Sequence, residues 1–271
     1  MLKGWNGVSK PSEEEMQKRL AAVLEKLAVQ QVQLKEKKLP VVVLVEGWGT
    51  SGKGSLIGQM IKDIDPRLFR VASMAEPTEE EGRKPFLCRY FSKIPEAGQM
   101  VFLDSGWMSE VVKQRLYGKI DEETYIRRIE SIRRFERQLT DNGYLVLKFF
   151  LHVSKKEQEK RIEKLLSHKD TKWRVSKNDQ WQNAHYEKCL DVFEHFLRET
   201  NMPGAPWYII DTKSRIWAKL QALETLTQGI GIAFENRALS VPLMQNVFPL
   251  VQMPLLSEVT LDESKSMGLE E

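Results

Sequence analysis

Cysteine and histidine are scarce in this 271-residue sequence. Its two cysteines, Cys88 and Cys189, form no Cys-x-x-Cys pair, and the four scattered histidines show no metal-ligand spacing. A disulfide scaffold and a zinc site of the usual spacing are thereby excluded, and a reducing, cytoplasmic setting is expected. Long hydrophobic runs are missing too. No apolar stretch nears the ~18–20 residues that cross a bilayer, and no secretory leader opens the chain. Nor is there a surplus of one charge: Lys plus Arg number 41 against 38 Asp plus Glu, a net charge of +3. No nucleic-acid or membrane partner is expected, and any anion site must be a local cluster. Internal repeats and low-complexity tracts are absent. What remains, at 41% hydrophobic residues, is enough to bury one substantial α/β core.

The organising stretch is Val41-Val42-Val43-Leu44-Val45, which runs straight into Glu46-Gly47-Trp48-Gly49-Thr50-Ser51-Gly52-Lys53-Gly54-Ser55. The β-branched run reads as a strand buried on both faces. Leu56, Ile57, Met60 and Ile61 then recur at helical spacing, so the loop feeds a helix. Gly47 to Lys53 fits the phosphate-loop pattern G-x-x-x-x-G-K in the context that pattern requires. Glycines let the backbone turn N–H groups inward, the helix N-terminus adds partial positive charge, and Lys53 reaches the outer phosphates. Gly47, Gly49, Thr50, Ser51, Gly52, Gly54 and Ser55 are the candidate phosphate contacts beside Lys53. Position 54 is glycine where a Ser or Thr hydroxyl usually holds Mg²⁺. Ser55 comes one residue late, on a different helix face.

Residues 1–11 read as a loose arm, and Ser12 with Glu15 marks the start of a long helix. Met16, Leu20, Val23, Leu24, Leu27 and Leu34 form its apolar face. After the phosphate loop come a turn at Asp65-Pro66-Arg67, a short strand at 69–74 and a solvated acidic run, Glu79-Glu80-Glu81. A helical stretch from Pro85 to Ser92 follows, carrying Arg89 and Tyr90. Met100-Val101-Phe102-Leu103-Asp104 ends an apolar strand in a carboxylate, the placement of a Walker B aspartate that holds Mg²⁺ directly or through water. A polar helix over 121–142 has Ile126, Ile129, Ile132, Phe135 and Leu139 as its expected buried stripe. Leu145 to Leu151 is another buried strand. Ser154 with Glu157 starts a helix through Arg161, Lys164 and Leu166. The basic stretch from His168 to Lys177, with Lys172 and Arg174, sits where phosphate-loop kinases carry a mobile lid that clamps phosphoryl groups. Strand 205–211 and helix 216–232 close the core.

The alternation predicts an α/β three-layer sandwich of the phosphate-loop NTPase kind, with a central parallel sheet, flanking helices and a helical lid. Residues 1–235 are one kinase domain, with a helical arm at 12–38 and the lid at about 155–190. Residues 236–271, punctuated by Pro242, Pro249 and Pro254, read as a linker or arm.

These residues resemble the polyphosphate kinase 2 family, polyphosphate-dependent nucleotide kinases of the thymidylate-kinase-like class, from about residue 12 to 228. The likeness is carried by the Glu46–Gly54 loop, Asp65-Pro66-Arg67, Pro77-Thr78, Arg89-Tyr90, Asp104 with Trp107, Lys148-Phe149, Lys172 to Ser176 with Asp179, and Ala205-Pro206-Trp207. The resemblance implies Mg²⁺-dependent phosphoryl transfer between inorganic polyphosphate and a nucleotide (AMP, ADP or ATP), in a homodimer or larger assembly. It gives Lys53 the transferred phosphate and Asp104 the metal. Arg67, Arg89 and Arg115 become phosphate contacts, and Lys172 and Arg174 join Arg161 and Lys164 in the lid.

Two positions depart from the family pattern: Gly49 stands where an Asp is usual, and Ser105 where an Arg follows the Walker B aspartate. One carboxylate and one cation are thus missing from the expected site, and each such loss typically costs ~10²–10³ in rate. The alternative reading is therefore a degenerate domain that binds polyphosphate or nucleotide, or scaffolds an active second domain. Leu255 to Val259 resembles the segment joining the two domains of fused family members, which would make this chain a first domain. On that view Gly49→Asp with Ser105→Arg restores turnover. An ATP-dependent small-molecule kinase is a third, weaker reading.

Overall fold

The computed structural model describes residues 2–5 and 7–238. In chain order the elements are α1 (Glu13–Glu36), β1 (Val41–Gly47), α2 (Lys53–Met60), β2 (Phe69–Ser73), α3 (Glu79–Gly82), α4 (Cys88–Phe91), β3 (Met100–Asp104) and α5 (Trp107–Leu116). Then come α6 (Glu122–Asp141), β4 (Leu145–His152), α7 (Lys155–Leu166), α8 (Lys177–Ala184), α9 (Tyr186–Glu199), β5 (Trp207–Asp211) and α10 (Arg215–Ala238). The strands form one sheet in the order β2-β3-β1-β4-β5, and every pairing is parallel. Helices cover both faces, which is the predicted sandwich.

Strand periodicity decides which residue meets which layer. Val42 and Leu44 of β1 point to a core shared with α5, α6 and α9. Val41, Val43 and Val45 point to the opposite core, with α1, α2 and α10. The register aligns the strand ends: Val45 lies beside Asp104 and Gly47 beside Leu151. The phosphate loop, Asp104 and the end of β4 therefore emerge at one edge of the sheet. That carboxyl-end edge, where the chain departs from β1 first to one side and later to the other, is where open α/β sheets bind ligands.

One polar group interrupts the buried strands. Lys148 of β4 is wholly buried, and its Nζ donates to Glu136 Oε2 at 2.6 Å and to the Thr200 carbonyl at 2.7 Å. Trp107 Nε1 satisfies the other Glu136 oxygen at 2.9 Å, so the pair is fully partnered.

Three expectations need correction. The N-terminal arm is not loose over residues 2–5: Leu2 is buried, Lys3 pairs with Asp191 at 2.7 Å, and Trp5 meets His152 edge-on at 5.2 Å. Ile126 is 48% exposed, because Tyr125 takes its place in the α6 stripe. The closing helix continues through Ala238, past its expected end at 232. The expected linker beyond it lies outside the described residues.

Candidate active site

The loop between β1 and α2 is held from beneath by its own first variable residue. Trp48 is fully buried, stacked on Tyr186 with ring centroids 4.1 Å apart, set edge-on to Phe193, and donating from Nε1 to His152 Nδ1 at 3.2 Å. Gly47 has φ 141°, and a Cβ on it would stand 2.4 Å from the Leu151 carbonyl oxygen, so only glycine fits. Thr50 (φ 58°) and Ser105 (φ 62°) are left-handed without being glycine, a strain that clusters at functional sites. No side chain caps the start of α2. Its first-turn amides thus offer donors and partial positive charge to an anion.

Two cavities open on this loop. The larger, about 1170 Å³, is bordered by residues 50–56, and Lys160, Arg161, Lys164, Arg174, Lys213 and Arg215 join Lys53 there against Asp104 and Glu157. Arg161 also braces the loop, donating to the Ser51 carbonyl at 3.2 Å and the Thr212 carbonyl at 2.6 Å. The smaller cavity, about 240 Å³, is bordered by Gly47, Gly49, Ser105 and α5, with Lys113 and Lys119 balanced by Glu76, Glu110 and Asp179. Lys53 borders both. Its ammonium rests on the Gly47 and Trp48 carbonyls at 3.4 and 3.2 Å, so no carboxylate holds it away from an arriving anion.

Behind the smaller cavity, Glu46 serves as the missing cap of α5. It is 1% exposed and accepts from the Gly106 N–H at 2.8 Å, the Ser109 N–H at 3.1 Å and the Ser109 hydroxyl. Burial pushes its carboxyl above the usual carboxylate range, while these donors and the Lys53 ammonium pull it back.

The residues present fit a divalent cation. Asp104 reaches over the first turn of α2, since a Cβ on Gly54 would stand 3.3 Å from its Oδ2. The Thr50 and Ser51 hydroxyls are buried and make no hydrogen bond. Among the described residues no group of three or more His, Cys, Asp or Glu side chains gathers. One carboxylate with spare oxygens, waiting for substrate phosphates, is how proteins commonly hold a small hard cation.

Not every expected residue arrives. Gly47, Gly49, Thr50 to Ser55, Asp104, Arg161, Lys164 and Arg174 border a cavity. Arg67 does not: it precedes β2, at the opposite edge of the sheet, and its side chain, 87% exposed, grips Asp65 at 2.7 Å. Arg115 pairs with Glu122 and stacks on Tyr125, outside both cavities. Lys172 is exposed on the single helical turn Lys172–Arg174 and borders neither cavity. Arg89 is buried behind the smaller cavity, bonded to the Ala75 carbonyl at 2.6 Å and ion-paired with Glu110 and Glu81 at 3.5 and 3.6 Å. It holds a wall in place.

Sequence reasoning missed Lys160, Lys213, Arg215, Gln158 and Gln182. The spacing Gln158, Arg161, Lys164 places one stripe of α7 on the loop, a signal that was available. Lys213 and Arg215 required knowing where β5 ends.

The polyphosphate kinase 2 family model matches residues 10–237, most of the chain. The chain belongs to the polyphosphate kinase 2 family. It is 30% identical over 222 residues to the polyphosphate:AMP phosphotransferase of Pseudomonas aeruginosa, covering 82% of this chain and 45% of that one. It is 29% identical over 214 residues to the AMP/ADP-polyphosphate phosphotransferase of Meiothermus ruber, covering 78% of this chain and 79% of that one. The chain thus spans about half the length of the Pseudomonas relative. A solved polyphosphate kinase 2 structure from Pseudomonas aeruginosa superposes with a TM-score of 0.77 at 25% identity, over 84% of this chain and 49% of that one. The polyphosphate kinase 2 of Arthrobacter aurescens shares the fold, with a TM-score of 0.78 at 24% identity, over 89% and 85%. Among the described residues no helix is long and apolar enough to cross a membrane.

Proposed function

We propose that the chain transfers a phosphoryl group between inorganic polyphosphate and a nucleoside mono- or diphosphate, AMP or ADP. The observation that carries this reading is Lys53, the shared wall of a large cationic cavity and a small charge-balanced one. The large cavity suits a long polyanion. The small one suits the phosphate end of a nucleotide. In transfer to the nucleotide, an acceptor phosphate oxygen attacks the terminal phosphorus of polyphosphate, the P–O–P bond breaks, and the shortened chain leaves with its charge among the cavity's cations. The dispersed negative charge of the transition state calls for fixed donors, here the α2 amides and Lys53, and for no nucleophilic side chain. A divalent cation, Mg²⁺ in this proposal, neutralises charge on the phosphates when bound, with Asp104 as its protein ligand. Assembly into a homodimer or larger belongs to the same reading.

The relatives' names support polyphosphate and AMP or ADP as substrates. The test is to incubate the purified chain with polyphosphate, Mg²⁺ and AMP or ADP and follow nucleotide phosphorylation. Turnover that disappears in Lys53→Ala supports the enzyme. Binding of both substrates without turnover sinks it and leaves a degenerate binding domain.

A further inference from the structure

Gly49 is where the lid meets the phosphate loop. A Cβ on it would stand 2.1 Å from Asp179 Oδ1 and 3.0 Å from the Asp179 Cβ, so a side chain there must displace the Asp179 carboxylate. Lid-side glutamines take both of its peptide groups: the Gly49 N–H donates to Gln182 Oε1 at 2.9 Å, and Gln158 Nε2 donates to the Gly49 carbonyl at 3.1 Å. Asn183 Nδ2 in turn donates to Gln158 Oε1 at 3.2 Å. Asp179 Oδ2 accepts the Ser176 N–H at 2.8 Å in the capping box that starts α8, which fixes the carboxylate and turns Oδ1 to the loop. Asp179 borders the smaller cavity together with Lys53.

We infer that Asp179 is the acceptor-side carboxylate of this site, delivered beside Lys53 when α8 seats on Gly49, where it holds a divalent cation against the acceptor phosphate. The inference rests on reading the smaller cavity as the acceptor site. A bare carboxylate there would repel phosphate oxygens, and a cation between the two turns that repulsion into attraction. Asp104 borders the other cavity, so each of the two cavities that Lys53 borders has one of these carboxylates in its wall. Gly49 then leaves the space that the Asp179 carboxylate occupies, and Gly49→Asp displaces that carboxylate instead of repairing a defect.

The experiment measures Mn²⁺ binding by electron paramagnetic resonance on the full chain, with and without AMP and without polyphosphate, so that nothing turns over. In the wild-type chain AMP raises the affinity for Mn²⁺. In Asp179→Asn that AMP-dependent gain falls about tenfold or more, while the amide oxygen still accepts the Ser176 N–H and keeps the helix cap. Mn²⁺ binding supported by a short polyphosphate alone is unchanged in Asp179→Asn and falls in Asp104→Asn. Gly49→Ala loses the same AMP-dependent gain and speeds hydrogen exchange over residues 177–184. The inference is overturned if Asp179→Asn keeps the gain, or if it instead tightens AMP binding without metal, which would make Asp179 a repulsive gate. A wild-type chain in which AMP does nothing to Mn²⁺ binding overturns the reading of the smaller cavity itself.

Discussion

The two cavities share one lysine and differ in almost everything else. The larger draws its cations from α7, the lid turn and the loop after β5, with Asp104 and Glu157 as counterweights. The smaller sets Lys113 and Lys119 of α5 and its following loop against Glu76, Glu110 and Asp179, and Lys113 is bonded to Glu76. A surplus of unneutralised cations binds any long polyphosphate by charge, with little demand on register. A balanced set binds by position, because each charge has a partner that a ligand must match or displace. On the proposed function, the difference implies a loose grip on the polymer and a selective one on the nucleotide.

The strongest way to break that picture is to remove the shared wall. Lys53→Ala should lower turnover by about 10²–10³ or more, the usual cost of one oriented charge at the transition state. Thermal stability should change far less, because the ammonium hydrogen-bonds only to loop carbonyls and its pull on the buried Glu46 carboxyl is one of several. A melting temperature that falls along with activity would make Lys53 a structural strut.

Next comes the brace beneath the loop, which both cavities need. Burial holds the His152 imidazole down to about 4, against an ordinary 6.5, and its Nδ1 accepts from Trp48. The unfolded chain takes up this proton as pH falls through 6.5, and the folded chain resists until about 4. Stability is therefore full above 6.5 and falls by up to about 3 kcal/mol on the way to 4. Urea melts of the wild type and His152→Asn across that range should show the steeper acid loss in the wild type. Parallel curves would mean that the imidazole is already charged in the fold.

A smaller effect separates the cavities. Lys164→Ala and Arg174→Ala should each raise KM for polyphosphate by about tenfold at low salt, with the difference shrinking as ions screen the site, and leave KM for the nucleotide unchanged. Lys113→Ala should do the converse. If all three variants raise both constants together, the cavities are one site.

How much of this was legible depends on what each residue answers to. The sheet, the phosphate loop and the Ser12 and Ser154 caps answer to local spacing, and local spacing is written in the chain. Lys148 reads simply as part of a buried strand, and only the meeting of β4 with α6 shows that Glu136 waits for it. Gly49 stands where the family pattern has a carboxylate, and its neighbour in space, Asp179, is distant in sequence and arrives on another helix. Arg89 and Arg115 are expected as phosphate contacts, and in the fold they face carboxylates of α3, α5 and α6 that are distant in sequence or on another element. Long-range pairing is what sequence position hides.

Arg67 and Lys213 put that lesson to its smallest measurable test. The motif Asp65-Pro66-Arg67 made Arg67 an expected phosphate contact, and nothing singled out Lys213. The fold reverses their standing. Arg67 leaves the turn before β2, so it lies at the amino end of a strand whose carboxyl end faces the site. Lys213 follows β5 at the same edge as the phosphate loop and borders the larger cavity. In a sheet whose strands are all parallel, the edge a loop occupies is fixed by whether it enters or leaves its strand, whatever motif it carries. Arg67→Ala should therefore leave both KM values and turnover of the monomeric site within about twofold, since an exposed pair with Asp65 contributes little. Lys213→Ala should raise KM for polyphosphate alone. If Arg67→Ala is the variant that loses polyphosphate, the guanidinium reaches a site from outside its own sheet. A second copy of the chain presenting its amino-end edge to this cavity would permit that contact, and sedimentation of the wild-type chain would show it.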